Sequence, residues 1–193
     1  MTITPRWSDM VQLLTSSVGA YGDRPLFGIR REEGWKWTSY RDFASMVDRC
    51  RAGLAGRGVE PGDRIAVISS NRLQWAVAAH AIYGLSAVHV PIHASQLEKD
   101  WKEILLDSGA RVCFVDGPAI LARVRSMQAD LYELEHIVDF DGVGADRGSF
   151  AELHGQGATR AVEKRVPDAK RDIACIIYTA GVSGKPKGVR LTH

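Results

Sequence analysis

The residues best suited to chemistry lie between Tyr178 and His193, a stretch reading Tyr178-Thr-Ala-Gly-Val-Ser-Gly-Lys-Pro-Lys-Gly-Val-Arg-Leu-Thr-His193. An apolar run from Ile173 to Tyr178 leads into it, so a strand is predicted to deliver a loop that carries Gly181, Gly184 and Gly188. Glycine permits close backbone approach, bare N–H groups can converge on an anion, and Lys185 or Lys187 adds a point charge. Thr179 and Ser183 contribute hydroxyls. This composition suits a loop that wraps a polyphosphate. It is not the loop of the nucleoside triphosphatases, because Pro186 follows Gly184-Lys185 where a Mg²⁺-binding hydroxyl is required, and position 179 is not glycine. The dinucleotide fingerprint Gly-x-Gly-x-x-Gly is also missing.

A loop of this kind needs a rigid sheet behind it. Helical spacing of Trp7, Met10, Val11, Leu14 and Val18 predicts a first helix, and Pro25–Arg30 with Trp35–Thr38 a hairpin. Ser39 with Asp42 opens a helix that Gly56 and Gly58 end. From there strand and helix alternate. The predicted strands are Ile65–Ile68, Ala87–Ile92, Val112–Val115 and His136–Phe140, with helices at 72–83, after a Ser95/Glu98 capping box, and at 118–127. The box is read as opening a helix whose buried face is Leu97, Trp101, Ile104 and Leu105. This rhythm predicts an α/β fold with a largely parallel, doubly wound sheet flanked by helices. The stretch 141–170 interrupts it and reads as a surface excursion with a short helical piece at Phe150–Leu153. The expected division is therefore 1–140 as βαβ core, 141–170 as excursion, and 171–193 as strand, phosphate loop and strand.

The terminal stretch resembles the phosphate-binding signature of the adenylate-forming enzymes, Tyr-Thr-Ser-Gly-Thr-Thr-Gly-x-Pro-Lys-Gly-Val, here Tyr178 to Val189. Further similarities are Trp37-Thr-Ser-Tyr40, Val59 to Ile68, Asn71-Arg-Leu-Gln-Trp75, Val90-Pro-Ile92 and Leu106 to Arg111. Trp75 after the asparagine is most similar to the long-chain fatty acyl-CoA synthetase branch. The resemblance implies the first part of that family's large N-terminal domain. It implies ATP, Mg²⁺ and coenzyme A as cofactors and a fatty acid as substrate, the acid being converted to an acyl-adenylate and then to a thioester. Thr179, Ser183 and the amides around Gly181 and Gly184 would then cradle the β and γ oxygens, with Lys187 adding positive charge and Ala180 and Val182 completing the binding loop. The family's adenine pocket, Mg²⁺-associated acid and catalytic lysine come from later segments. Catalytic residues are accordingly expected outside residues 1–193, and acyl-CoA formation by this stretch alone is not expected. A non-catalytic nucleotide-binding module, or an interaction module that completes its fold with another chain, is the alternative.

Three positions depart from the family pattern. Ala180 replaces serine and Val182 replaces the first threonine, so two hydroxyls are lost while the amides remain. A hydrogen bond to a charged group is worth about 1.5–3 kcal/mol, enough to weaken ATP binding roughly tenfold to a hundredfold. Ser86 stands where the family has glycine, and is read as a packing variation.

The composition excludes several classes. Lys and Arg total 25 against 23 Asp and Glu, interleaved along the chain, so no basic stripe for nucleic acid is present. Met1–Met10 has no basic segment leading into an apolar one, and the apolar stretch Trp75–Ile92 is broken by polar residues and Pro91, so no membrane span is expected. A cytoplasmic protein, with or without peripheral membrane association, is the expectation. Cys50, Cys113 and Cys175 read as small buried side chains. His89 and His93 fall in a strand-like run, not on a helix, and no metal site is assigned; His80 reads as a satisfied buried imidazole. The tryptophans Trp35, Trp37, Trp75 and Trp101 are read as packing residues.

Overall fold

The computed structural model describes residues 6–143, 148–179 and 185–193. The chain begins with helix α1 (Met10–Tyr21) and a two-stranded hairpin, β1 (Pro25–Arg31) and β2 (Gly34–Ser39). Then follow α2 (Tyr40–Gly56), β3 (Arg64–Ser69), α3 (Leu73–Tyr83), β4 (Val88–His93), α4 (Glu98–Ser108), β5 (Val112–Val115), α5 (Pro118–Ser126), β6 (His136–Asp139), α6 (Phe150–Ala158), β7 (Ile173–Thr179) and β8 (Lys187–Thr192). Six strands form one sheet in the order β6-β5-β3-β4-β7-β8. All neighbours run parallel except β7 and β8, which are antiparallel. Among the described residues no helix is long and apolar enough to cross a membrane.

Strand periodicity explains why the sheet is covered on both faces. In β3, Ile65 and Val67 point into one cluster with Phe43, Leu54, Val77 and Leu153, from α2, α3 and α6. Ala66 and Ile68 point the other way, against Trp101, Ile104 and Val124 of α4 and α5. Chain order reverses direction at β3 and β4, because β4 lies on one side of β3 and β5 on the other. In open α/β sheets ligands bind outside the carboxyl ends of the strands at such a reversal.

Helices α2, α3 and α4 end alike. Two backbone bonds close each terminus: Gly58 N–H to Ala55 and Val59 N–H to Leu54; Ser86 to Tyr83 and Ala87 to Ile82; Gly109 to Leu106 and Ala110 to Leu105. This pattern demands a left-handed residue, which Gly58 (φ 78°) and Gly109 (φ 58°) supply without strain. Ser86 adopts φ 54° with a side chain in place. The glycine that the family pattern has at this position therefore answers a backbone requirement, and Ser86 is not a packing variation. A left-handed residue other than glycine costs about 1–2 kcal/mol, part of which glycine returns in unfolded-state entropy. Ser86→Gly is expected to stabilise by about 0.5–1 kcal/mol, raising the melting temperature by roughly 1–4 °C. A calorimetric melt with no rise, or a fall, contradicts this.

Three local expectations give way. Ser95 does not cap α4; its hydroxyl pairs with His93 Nδ1 at 2.7 Å, and α4 starts after Leu97 with no side-chain cap. Leu97, expected in the core, is 60% exposed, because it lies before the first helical turn that could aim it inward. The helix at Phe150 runs on to Ala158 and is no mere surface feature: Leu153 is fully buried, and Ser149 caps the helix through the Glu152 amide. Trp35 and Trp37 stack on each other at 5.6 Å on the outer face of the hairpin and stay more than half exposed. Trp101 and Trp75 do pack. Cys50 and Cys113 are buried, with burial pushing the Cys50 thiol up to about 12, whereas Cys175 is only partly covered.

Candidate functional site

Because β7 runs parallel to β4, its end at Thr179 emerges on the carboxyl side of the sheet, beside the reversal in strand order. The chain returns as β8 from Lys187, and Thr179 and Lys187 are direct cross-strand partners. These two predicted site residues are thus brought together at the base of the loop, both exposed. Among the described residues Lys187 has no carboxylate partner within salt-bridge distance, which leaves its ammonium available to an anion. Ala180, Gly181, Val182, Ser183 and Gly184 lie outside the described residues.

The residues flanking 180–184 show how the ends of β7 and β8 are held. Tyr178 sits opposite Gly188, and a Cβ at Gly188 would come within 3.0 Å of the Tyr178 ring carbon that bears the hydroxyl and 2.9 Å of an Ile176 methyl. Glycine lets the ring lie across the neighbouring strand. From there Tyr178 donates a 2.5 Å hydrogen bond to Asp107 of α4. Burial and that bond to a carboxylate raise the phenol above its ordinary value. The loop's base is therefore tied to α4. Asp107 escaped the motif-based reading, although it falls in the segment Leu106 to Arg111 that carried part of the family resemblance.

A second constellation spans the carboxyl ends of β3, β5 and β6. The Ser70 amide donates to Asp116 at 3.0 Å and its hydroxyl to the same oxygen at 2.5 Å. Arg72 bonds to Asp116 and reaches Asp141 at 2.5 Å, its guanidinium lying 5.3 Å from the Phe140 ring centroid. Burial alone would raise the Asp116 carboxyl; the Ser70 hydrogen bonds and the Arg72 charge outweigh it and hold the group below its usual value. The Asp141 hydrogen bond raises Arg72 despite partial burial. With each carboxylate committed to Arg72, the cluster acts as a clamp that ties together the carboxyl ends of β3, β5 and β6.

His80 differs from the satisfied imidazole expected of it, and His89 is a core histidine with one nitrogen unpaired among the described residues. His89, on β4, contacts the Tyr83 hydroxyl through Nδ1 at 3.3 Å, while Nε2 has no partner among the described residues. Among the described residues the His80 ring makes only ring contacts, with Phe43 and Tyr83. Burial pushes His80 down to about 4 and His89 to about 3, so both are neutral at pH 7. In the unfolded chain they titrate near 6.5. The unfolded state therefore binds more protons below that value, and stability falls as pH drops from 6.5 toward 4 and 3. Urea melts should show a loss of about 1–1.5 kcal/mol per histidine between pH 7.5 and 5.5, and His89→Phe should remove about half of it. Equal stability at the two pH values contradicts these burial shifts. Among the described residues no group of three or more His, Cys, Asp or Glu side chains is placed to hold a metal ion.

Two strands joined at the carboxyl edge of a doubly wound sheet are the setting of this site, and the AMP-binding enzyme family matches residues 14–193. The chain belongs to the AMP-binding enzyme family. Its curated relatives in the family include long-chain-fatty-acid–CoA ligase FadD15 of Mycobacterium bovis, 28% identical over 82% of this chain and 27% of the relative. The 3-[(3aS,4S,7aS)-7a-methyl-1,5-dioxo-octahydro-1H-inden-4-yl]propanoyl:CoA ligase of Mycobacterium tuberculosis is 37% identical over 86% of this chain and 33% of the relative. Among solved structures, a long-chain-fatty-acid-CoA ligase from Archaeoglobus fulgidus superposes with a TM-score of 0.83 at 21% identity, covering 100% of this chain and 38% of that one. The anthranilate CoA ligase AuaEII in complex with anthranoyl-AMP gives 0.81 at 23% identity, covering 98% and 36%. The AMP-binding chain described here thus spans about a third of the length of the relatives it matches, and its fold is that of their N-terminal portions.

Proposed function

We propose that residues 1–193 form the polyphosphate-gripping part of an ATP-dependent ligase that joins a long-chain fatty acid to coenzyme A. The observation that carries this reading is the pairing of Thr179 with Lys187, which has no carboxylate partner among the described residues, at the carboxyl edge of the parallel strands. A carboxylate is a poor acyl donor because its leaving group would be an oxide. In the proposed first step a carboxylate oxygen attacks the α-phosphorus of ATP, the bond to the bridging oxygen breaks, and pyrophosphate leaves. In the second, the coenzyme A thiol loses its proton, sulfur bonds to the acyl carbon, and AMP departs.

Negative charge builds on the leaving pyrophosphate in the first step. Fixed donors aimed at that charge stabilise the transition state without reorganising. Thr179, Ser183, the amides around Gly181 and Gly184, and Lys187 are assigned this task. Ala180 and Val182 contribute only backbone. Mg²⁺, when bound, would neutralise phosphate charge; the described residues offer no carboxylate cluster for it, so it would arrive with ATP. The relatives' greater length supports the view that adenine recognition and acyl binding need segments beyond these residues.

Residues 1–193 alone are therefore expected to leave pyrophosphate release at background with ATP, Mg²⁺ and palmitate. Clear palmitate-dependent turnover overturns the assignment of the catalytic groups to other segments.

A further inference from the structure

Far from the loop in sequence, four elements enclose a cavity of about 190 Å³ whose lining includes no residue of β7 or β8. Val11, Leu14 and Val18 of α1 form one wall and Val47 of α2 the opposite one. His80 of α3 lies in the interior, and Lys164, from the extended segment after α6, stands exposed at the mouth. The cavity exists because α1 buries none of its residues fully, so this helix leans on α2 and α3 without closing the gap. We propose that the cavity binds a small amphipathic monocarboxylate, of the size of benzoate or hexanoate.

Charge selects the head group. Arg51 is already engaged, with Nη1 on Asp48 at 2.7 Å and Nε and Nη2 on the Val162 carbonyl at 3.2 and 2.7 Å. Those bonds fix the extended segment in place and leave Lys164 as the cation of the mouth. Its ammonium donates at 2.8 Å to the Thr15 hydroxyl, a neutral acceptor, and has no carboxylate partner among the described residues. A carboxylate arriving there gains a charge-assisted hydrogen bond without breaking an ion pair.

Polarity and volume select the rest. The imidazole of His80 makes no hydrogen bond among the described residues, so it offers a donor or acceptor beside the apolar side chains of Val11, Leu14, Val18 and Val47. An apolar cavity of about 150 Å³ holds benzene, so about 190 Å³ has room for a ring or a short chain. The proposed ligand is therefore too small to be the long-chain substrate class suggested for the phosphate-binding end, and the two readings stand independently.

Isothermal titration at pH 7 with benzoate, hexanoate, hexanol and hexylamine tests this, with backbone amide shifts locating the site. The two acids should bind saturably with dissociation constants near or below about 1 mM, at least tenfold tighter than hexanol, and hexylamine should give no saturable heat. Shifts should centre on Thr15, Val47 and Lys164 and spare Thr179 and Lys187. Lys164→Ala should weaken the acids about tenfold, and Ala44→Leu, which fills the cavity from α2, should abolish binding while the melting temperature holds. No saturable heat up to about 10 mM acid overturns the proposal. So do equal affinities for hexanoate and hexanol, or shifts confined to 179–187. The ligand series on the unsubstituted protein decides the matter even if a variant folds poorly.

Discussion

Gly157→Ala should destabilise the protein by about 3 kcal/mol, although it adds one methyl group. The new Cβ would sit 1.8 Å from the Arg49 carbonyl oxygen and 3.0 Å from the Gly53 amide nitrogen, both backbone atoms of α2. Backbone cannot rotate aside as a side-chain tip can, so α6 must lift off α2. Gly53 makes the reciprocal approach, its notional Cβ only 2.4 Å from the Leu153 carbonyl oxygen. Lifting α6 uncovers Phe150 and Leu153, strains the Arg57–Glu152 ion pair at 2.6 Å, and breaks the His154 bond to the Met46 carbonyl at 2.8 Å. At this chain length the loss corresponds to a melting temperature lower by roughly 6–12 °C. Gly155→Ala is the control: nothing lies within 4 Å of its notional Cβ, and helix propensity predicts a small gain of under about 1 kcal/mol. Equal melting temperatures for the two variants would refute the close approach of α2 and α6.

On the other face of the sheet, Trp101→Ala should cost about 3–5 kcal/mol. The indole is fully buried, donates from Nε1 to the His93 carbonyl at 3.2 Å, and lies under the Arg123 guanidinium at 4.3 Å from the ring centroid. Truncation leaves a cavity, an unpaired carbonyl at the end of β4 and a cation without its ring. Because β4 borders β7, the same change should loosen the platform beneath the loop. Trp101→Phe keeps most of the volume and loses the hydrogen bond, so it should cost about 1–2 kcal/mol. Denaturant midpoints of the three proteins separate packing from hydrogen bonding; a Phe variant as damaged as the Ala variant would show that the hydrogen bond, not the volume, dominates.

What the sequence disclosed and what it hid follow from how far each interaction reaches. The β strands were legible because Ile65–Ile68 and Val112–Val115 are short apolar runs buried on both faces, a local signature. The Ser39 cap was legible because its partner, Asp42, is three residues away. The length of α6 was not, since 141–170 is polar and glycine-rich, and only the packed α2 shows why glycine is required at 157. The false box at Ser95 had the right spacing, but His93, two residues back, captured the hydroxyl. At the site, the motif revealed Thr179 and Lys187 as loop residues, but not that they face each other. Asp107 and the Arg72 clamp depend on contacts between strands far apart in sequence, and no local pattern announces them. Ser86 is intermediate: the family pattern marked the position, and only its backbone angle explained why glycine belongs there.

The central claim is that the turn between β7 and β8 grips a polyphosphate, and equilibrium binding of ATP tests it most directly. Calorimetric titration with Mg²⁺–ATP should give saturable heat at low-millimolar ATP or below, and Lys187→Ala should weaken it roughly tenfold or more, the scale of one lost hydrogen bond to a charged group. Tripolyphosphate should compete and adenosine should not. Absence of heat throughout the millimolar range, or an affinity untouched by Lys187→Ala, would contradict the account.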